Sequence, residues 1–347
     1  MNKCIYYTDR NGLHFTKEEH IIPAGIGGKK KLNIGIVSDE FNNDFSKIEQ
    51  EFMRNSLIAI PREFYGPGKR GSLSPSKSTK SLIHVQFDEK DNKPHLGYLM
   101  RGNPHLINQL IINDNKFSVS LIPEEDEISN LIEKFRQQLS TYTNVHIEII
   151  ENKLKEKTVL LGFYDNKWFL SRNENTDLNE LTIVISKLKE NFSIVGSPTY
   201  NKNLVTSHLN YSFNIYNLYR VYAKIAFNCL AHFEGKEFVQ KKCFNDIRNW
   251  IAHGGKNKFV SFSKIKESEK LSFLPFPEKS HRIIITKINS CLFAIVSLYG
   301  HSFSESIKLS TEFDELFQLK MFICDWENGK EQTLFEFVNE LNSKDDS

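Results

Sequence analysis

The sequence predicts an α+β protein, and three observations predict it. Apolar residues alternate at a two-residue period in short runs, Ile83, Val85 and Phe87 and again Phe117, Val119 and Leu121, the pattern of half-buried strands. Between such runs, Ile128, Leu131, Ile132, Phe135 and Leu139 recur at helical spacing. At 347 residues the chain is also long enough for two or three regions with ample core. We read an N-terminal unit over residues 1–65, a basic Gly/Ser-rich linker over 66–80 and an α+β domain over 81–200. A helical segment over 201–255 and a β-rich region over 256–347 with an acidic tail complete the chain.

In the N-terminal unit, residues 3–7 and 13–16 read as short strands joined by Asp9-Arg10-Asn11-Gly12, whose Asn-Gly pair signals a hairpin. They lead into Glu19-His20-Ile21-Ile22-Pro23 and a glycine-rich loop, Gly25-Ile26-Gly27-Gly28. Lys29-Lys30-Lys31, Asn33, the apolar Ile34, Ile36 and Val37, and then Asn42 follow. From Asn43 the pattern turns helical through Phe45, Ile48, Phe52, Leu57 and Ile60, and Pro61 ends this helix or starts the next element.

Residues 19–43 resemble the HNH, or ββα-metal, nuclease family, in which a histidine ends the first strand, a loop carries the central Asn and a helix supplies the last metal ligand. The resemblance implies His20 as general base, Asn33 as the catalytic-loop residue that braces it, and Glu19 and Asn42 as metal ligands. The residue types suit phosphodiester hydrolysis. A neutral histidine accepts a proton from water near neutral pH, and oxygen donors with water suit Mg²⁺ or Mn²⁺, a Lewis acid for the leaving oxygen. Strand periodicity sets Glu19 and His20 on opposite faces unless the strand end turns. The Asn33-to-Asn42 spacing is similar to the zinc-free HNH domain of RNA-guided CRISPR nucleases. EHIIP, Gly-Gly and the run from Asn42 to Glu49 are similar to a zinc-binding bacterial subgroup, which fixes its fold with two C-x-x-C pairs. Here those positions are Cys4 and Tyr7, then Ser38 and Phe41, so no structural zinc is expected. The resemblance further implies DNA as substrate, RNA remaining open. It also implies a role in antiviral defence, as a homodimer or with a partner protein. A non-catalytic nucleic-acid or protein-binding module on a degenerate HNH fold is the alternative.

The net charge of +2 does not mark a nucleic-acid binder, but its distribution is uneven. Residues 61–80 carry Arg62, Lys69, Arg70, Lys77 and Lys80 against Glu63 alone, whereas residues 308–347 carry four basic and ten acidic side chains. A basic strip after the helix suits a phosphate backbone, and Lys30, Arg62, Lys69 and Arg70 are the candidate contacts. Five cysteines without paired spacing point to a reducing, cytoplasmic setting. The N-terminal residues lack a signal-peptide core, and the longest apolar run, 291–299, is too short for a bilayer, so no membrane partner is expected.

Further on, strands are predicted at 145–149, 158–163 and 167–170 and a helix at 177–191; acidic residues 124–127 open the helix that contains Phe135. His84, His95, His105 and His146 do not make a metal-ligand spacing. Leu218, Tyr222, Ile225, Ala226 and Cys229 line a long helix, and a second helix over 237–252 ends at Gly254-Gly255. Near its end, Arg248-Asn249-Trp250-Ile251-Ala252-His253 is similar to the R-N-x-x-x-H signature of HEPN-type ribonucleases. That likeness implies a second, metal-independent site, with His253 as acid/base and Arg248 stabilising charge. Strands at 283–285, 292–298 and 303–309 read as an antiparallel meander, and a short helix at 332–341 closes the tail. No repeat and no phosphate-binding P-loop is present.

Overall fold

The computed structural model describes residues 3–113, 116–122, 128–142, 147–150, 154, 158–173, 178–190, 205–207, 209, 211–262, 274–300 and 302–345. The predicted acidic helix opening at 124–127 and the start of the 145–149 strand lie outside them. The chain forms two units, one from Met1–Thr79 with Tyr211–Ser347 and the other from Lys80–Asn210. Residues 1–65, 211–255 and 256–347, read as separate segments in the sequence, therefore belong to one unit, whereas 201–210 fall in the other.

The first strands predicted do not form. Cys4, Ile5, Tyr6 and Tyr7 are all buried, which an alternating strand with one wet face does not allow. This segment runs as irregular chain, donating Ile5 N–H to Ile36 O at 3.1 Å. Residues 14–17 wrap the helix start instead of returning as a hairpin. The backbone N–H groups of Thr16 and Lys17 donate to the Asp39 carboxylate, and that of His14 to Glu40. The ordered elements begin with β1 (Glu19–His20), antiparallel to β2 (Lys31–Leu32). Helix α1 (Asp39–Asn55) starts four residues earlier than the apolar pattern suggests. The reason is local: Ser38 Oγ caps Phe41 N–H at 3.3 Å, and Asp39 and Glu40 complement the helix dipole. The short α2 (Ala59–Phe64) takes Pro61 in its first turn, where its missing N–H costs nothing.

In the second unit, β3 (His84–Asp88), β4 (Pro94–Met100), β5 (Asn103–Leu106), β6 (Asn108–Asn113) and β7 (Lys116–Ser120) precede α3 (Ile128–Ser140). Then come β8 (Ile147–Ile149), β9 (Thr158–Tyr164), β10 (Lys167–Arg172), α4 (Leu178–Glu190) and β11 (Val205–Ser207). They build a four-stranded sheet, β11-β3-β4-β5, and a five-stranded sheet, β7-β6-β9-β10-β8. Strand alternation divides the core in two. Leu161 and Leu170 face Phe135 and Leu139 of α3 and Leu181 and Ile185 of α4, while Leu160 and Phe169 face Val85 and Leu96 of the other sheet. The α+β reading of this stretch agrees with these elements.

Returning to the first unit, α5 (Ile215–Glu234) is buried on every side from Val221 to Ala231, the mark of a central helix. It packs against α1 and against the C-terminal sheet within one cluster, through residues such as Tyr222, Phe227 and Leu230. The predicted second helix is broken into α6 (Lys236–Val239) and α7 (Asn245–His253), with a 3₁₀ turn between them. Strands β12 (Val260–Phe262), β13 (His281–Ile288), β14 (Cys291–Leu298), β15 (Phe303–Ser310), β16 (Lys320–Asp325) and β17 (Lys330–Thr333) lead to α8 (Leu334–Asp345). The sheet is antiparallel, in the order β12-β15-β14-β13-β16-β17. No helix among the described residues is long and apolar enough to cross a membrane.

Candidate functional site

The glycine-rich loop between β1 and β2 sits on the C-terminal sheet, and that seating positions β1. Gly27 has φ 102, and a Cβ there would lie 2.4 Å from Trp326 Cβ; at Gly28 it would lie 1.9 Å from Ile22 O. Only glycine allows both approaches. The Glu331 carboxylate of β17 accepts the backbone N–H groups of Lys29, at 3.0 Å, and of Lys30. The buried His281 donates Nε2–H to Ile26 O at 2.8 Å and accepts Tyr299 N–H at Nδ1, 3.0 Å. Burial pulls its pKa down to about 4, so it serves as a neutral strut.

The β1–β2 register separates the two predicted site residues. His20 pairs with Lys31 and Glu19 with Leu32, and directly paired residues share a face. His20 is partly exposed and Lys31 is exposed beside it, with Lys31 Nζ 3.2 Å from Glu18 Oε2. Partial burial lowers the His20 pKa below its ordinary value, and the cations Lys31 and Lys224 lower it further. Its imidazole is neutral at neutral pH, the form that accepts a proton. Asn228 Nδ2 donates to His20 O at 2.9 Å, and Tyr6 Oη donates to Asn228 Oδ1, so a buried chain of hydrogen bonds pins the histidine's backbone.

Glu19 faces the other way, toward α1 and α5. Lys224 of α5 reaches both Glu19 Oε1 and Glu49 Oε1 of α1, the latter at 2.6 Å. Its side chain is 3 % exposed and that of Glu19 12 %. Burial alone would lower the Lys224 pKa, but the two carboxylates hold it above the usual lysine value. Burial also pushes the Glu19 carboxyl up, against the pull of Lys224. Lys224 and Asn228 are one helical turn apart, the two polar side chains in the buried stretch of α5, and both serve β1. The sequence reading followed the apolar face of α5 and missed them. A lysine and an asparagine at i, i+4 inside a run that is otherwise apolar all round were the available signal.

The other sequence candidates separate clearly. Asn42 lies in the first turn of α1, and its buried Oδ1 has no hydrogen-bond partner. Asn33 is exposed, and its carbonyl closes the turn by accepting Ile36 N–H at 3.3 Å. Lys69 and Arg70 are exposed in a turn packed on the glycine-rich loop, where a Cβ on Gly71 would lie 2.7 Å from Ala24 O. Arg62 is a correction. It is 7 % exposed, and its guanidinium donates to Gly25 O at 2.7 Å, Met53 O at 3.2 Å and Gly68 O at 3.5 Å. It latches loop to helix and is not available to phosphate. Lys30 has its backbone on Glu331, and its charge is felt by Glu336 and His232, so it faces the acidic C-terminal region.

Arg248 and His253 are a second correction. Arg248 is 4 % exposed and bonds Asn245 Oδ1 and Gln240 O, whereas His253 is exposed and stacks on Tyr7 at 5.7 Å. Five residues on a helix turn through about 140° beyond a full circle, so one side chain enters the core and the other leaves it. Their side chains therefore have different surroundings, one buried and one exposed. Arg220 takes the carbonyls of Ile251 and Ala252 at the end of α7.

The chain matches no protein-family model, no curated protein and no solved structure.

Two geometric facts bear on the resemblance. The four positions assigned to zinc thiolates do come together: Ser38 N–H donates to Cys4 Sγ at 3.3 Å, and Tyr7 and Phe41 meet edge to face at 5.5 Å. Apolar packing and a backbone–thiol contact occupy that corner. The expected Mg²⁺ or Mn²⁺, by contrast, fits poorly. Asn42 offers an orphaned oxygen, but Lys224 already occupies the space between Glu19 and Glu49 and draws Glu19 toward Glu49. Glu49 lies seven residues beyond Asn42 on α1, roughly 10 Å along the helix. With its carboxylate held by Lys224, Glu19 is poorly placed to share an ion with Asn42.

Proposed function

We propose that the chain is a nuclease of the HNH type that hydrolyses phosphodiester bonds in DNA. The observation that carries this reading is the setting of His20: a neutral, partly exposed imidazole at the end of a short strand, opposite Lys31, ahead of helix α1. His20 takes a proton from the attacking water, Lys31 offers positive charge to the phosphate on the same face, and the P–O bond to the leaving oxygen breaks as that oxygen takes a proton from solvent. Lys69 and Arg70, beside the glycine-rich loop, contact the DNA backbone. Asn228 and Tyr6 act through His20 as positioning residues. The corner made by Cys4, Tyr7, Ser38 and Phe41 supports the HNH assignment, since the four positions converge with other chemistry in place of thiolates.

A non-cleaving DNA-binding module on the same fold is the second reading. The neutralised Glu19 favours it, because a carboxylate held by Lys224 is withdrawn from substrate. Incubating supercoiled plasmid with wild type and His20→Ala, with and without Mg²⁺ or Mn²⁺, separates the two. Nicking by wild type that is lost in His20→Ala supports the nuclease. Plasmid binding without nicking by either protein, under every condition, selects the module.

A further inference from the structure

Two acidic side chains from different elements, Glu19 of β1 and Glu49 of α1, meet at a largely buried point beside His20. Carboxylates brought together in this way repel and remain ionised only with a cation between them. The cation present is an ammonium built into the chain. Lys224 enters from the central helix α5, is itself 3 % exposed, and reaches both carboxylates. Its aliphatic stem is embedded in the core stretch of α5, and Nζ stands 5.3 Å from the centre of the Phe45 ring. We propose that Lys224 is the permanent cation of this site, so that the native chain takes no divalent ion at Glu19. Removing its ammonium would convert Glu19 and Glu49 into a site for Mg²⁺ or Mn²⁺.

The reasoning is one of charge and space. A divalent ion of this type is satisfied by one or two carboxylates and several waters. Glu19 and Glu49 supply such a pair once the ammonium is gone, and the partial exposure of Glu49 gives water a way in. While Lys224 is in place, a metal must displace a charge tethered to the core, and its own +2 would add to that charge. The proposal stands whether or not His20 cuts DNA, because it concerns what the carboxylates hold.

The test uses the full-length protein and Mn²⁺ itself, followed by electron paramagnetic resonance and by thermal melting. Wild type is expected to bind no Mn²⁺ that Glu19→Gln removes, and its melting temperature should not move with the metal. Lys224→Met should melt lower in EDTA, bind one Mn²⁺ at least tenfold more tightly than wild type, and rise by roughly 5 °C in saturating metal. Adding Glu49→Gln to Lys224→Met should abolish both gains. One Mn²⁺ bound by wild type and lost in Glu19→Gln overturns the proposal, as does a well-folded Lys224→Met that gains no affinity. Should Lys224→Met fail to fold even with Mn²⁺, the wild-type and Glu19→Gln titrations alone decide. Glu19→Gln keeps an oxygen for Lys224 and retains Glu49 as its partner, so it is the gentler change.

Discussion

Glu19-His20 and Arg248-to-His253 are both short histidine-containing motifs that sequence reasoning links to nucleic-acid cleavage, and the fold treats them in opposite ways. At β1, adjacent residues part to two faces, and each face is completed by another element: Lys31 of the paired strand beside His20, Lys224 and Glu49 around Glu19, Asn228 behind the backbone. At α7, the arginine bonds local carbonyl and amide oxygens through Nη2 and leaves its buried Nε without a partner, while the histidine is exposed. Spacing alone made the two look comparable. Which face each side chain takes, and whether a distant element answers it, tells them apart.

The comparison can be broken most severely at His20. His20→Ala should lower DNA cleavage by roughly 100-fold or more, the usual weight of a positioned base, while circular dichroism stays native. Next comes Lys224→Ala, which strands two carboxylates and should cost about 3–5 kcal/mol of stability in urea unfolding; a change under about 1 kcal/mol would show the ion pairs to be incidental. Asn228→Ala leaves the Tyr6 hydroxyl and His20 carbonyl without their partner and should cost about 1–3 kcal/mol. It should also reduce cleavage more than His253→Ala does, since only the first loosens His20.

A pH series sharpens the contrast further. The His20 pKa is lowered by burial and by neighbouring cations. Cleavage should therefore already be at its plateau at neutral pH and fall only below the ordinary histidine range. His281 contributes to stability in the same direction. Its folded pKa, about 4, lies below its unfolded value of 6.5, so the unfolded state binds the proton first. The contribution is complete above pH 6.5 and is lost as pH falls toward 4. His281→Gln should flatten that part of the stability curve. The smallest effects concern DNA binding. Lys69→Ala with Arg70→Ala should weaken binding and reduce the salt dependence by up to about two counterions, whereas Arg62→Ala should act through unfolding of the loop and leave the salt slope unchanged.

Much of the scaffold was legible because it is locally coded. Alternation located β3, β7 and the meander, helical periodicity located α3 and α5, and Gly254 ends α7 as expected. Three physical causes hid the rest. Where both faces of an element are covered, alternation vanishes: in β16, Phe322 and Cys324 join the main core while Met321 and Ile323 face Phe337 of α8, and the strand was missed. Residues 4–7 are buried together without strand geometry and were over-read as one. Finally, long-range partners leave little mark in the local sequence. Nothing beside Glu19 announces Lys224, which lies 205 residues away, and nothing beside Arg62 announces that three carbonyls await it.

The most direct measurement is a side-by-side cleavage assay of wild type, His20→Ala and the double variant Arg248→Ala/His253→Ala on supercoiled DNA and on RNA of matched concentration. The account requires DNA nicking in wild type, its retention in the double variant and its loss in His20→Ala. Cleavage of RNA that survives His20→Ala and disappears in the double variant would contradict it and transfer the chemistry to α7.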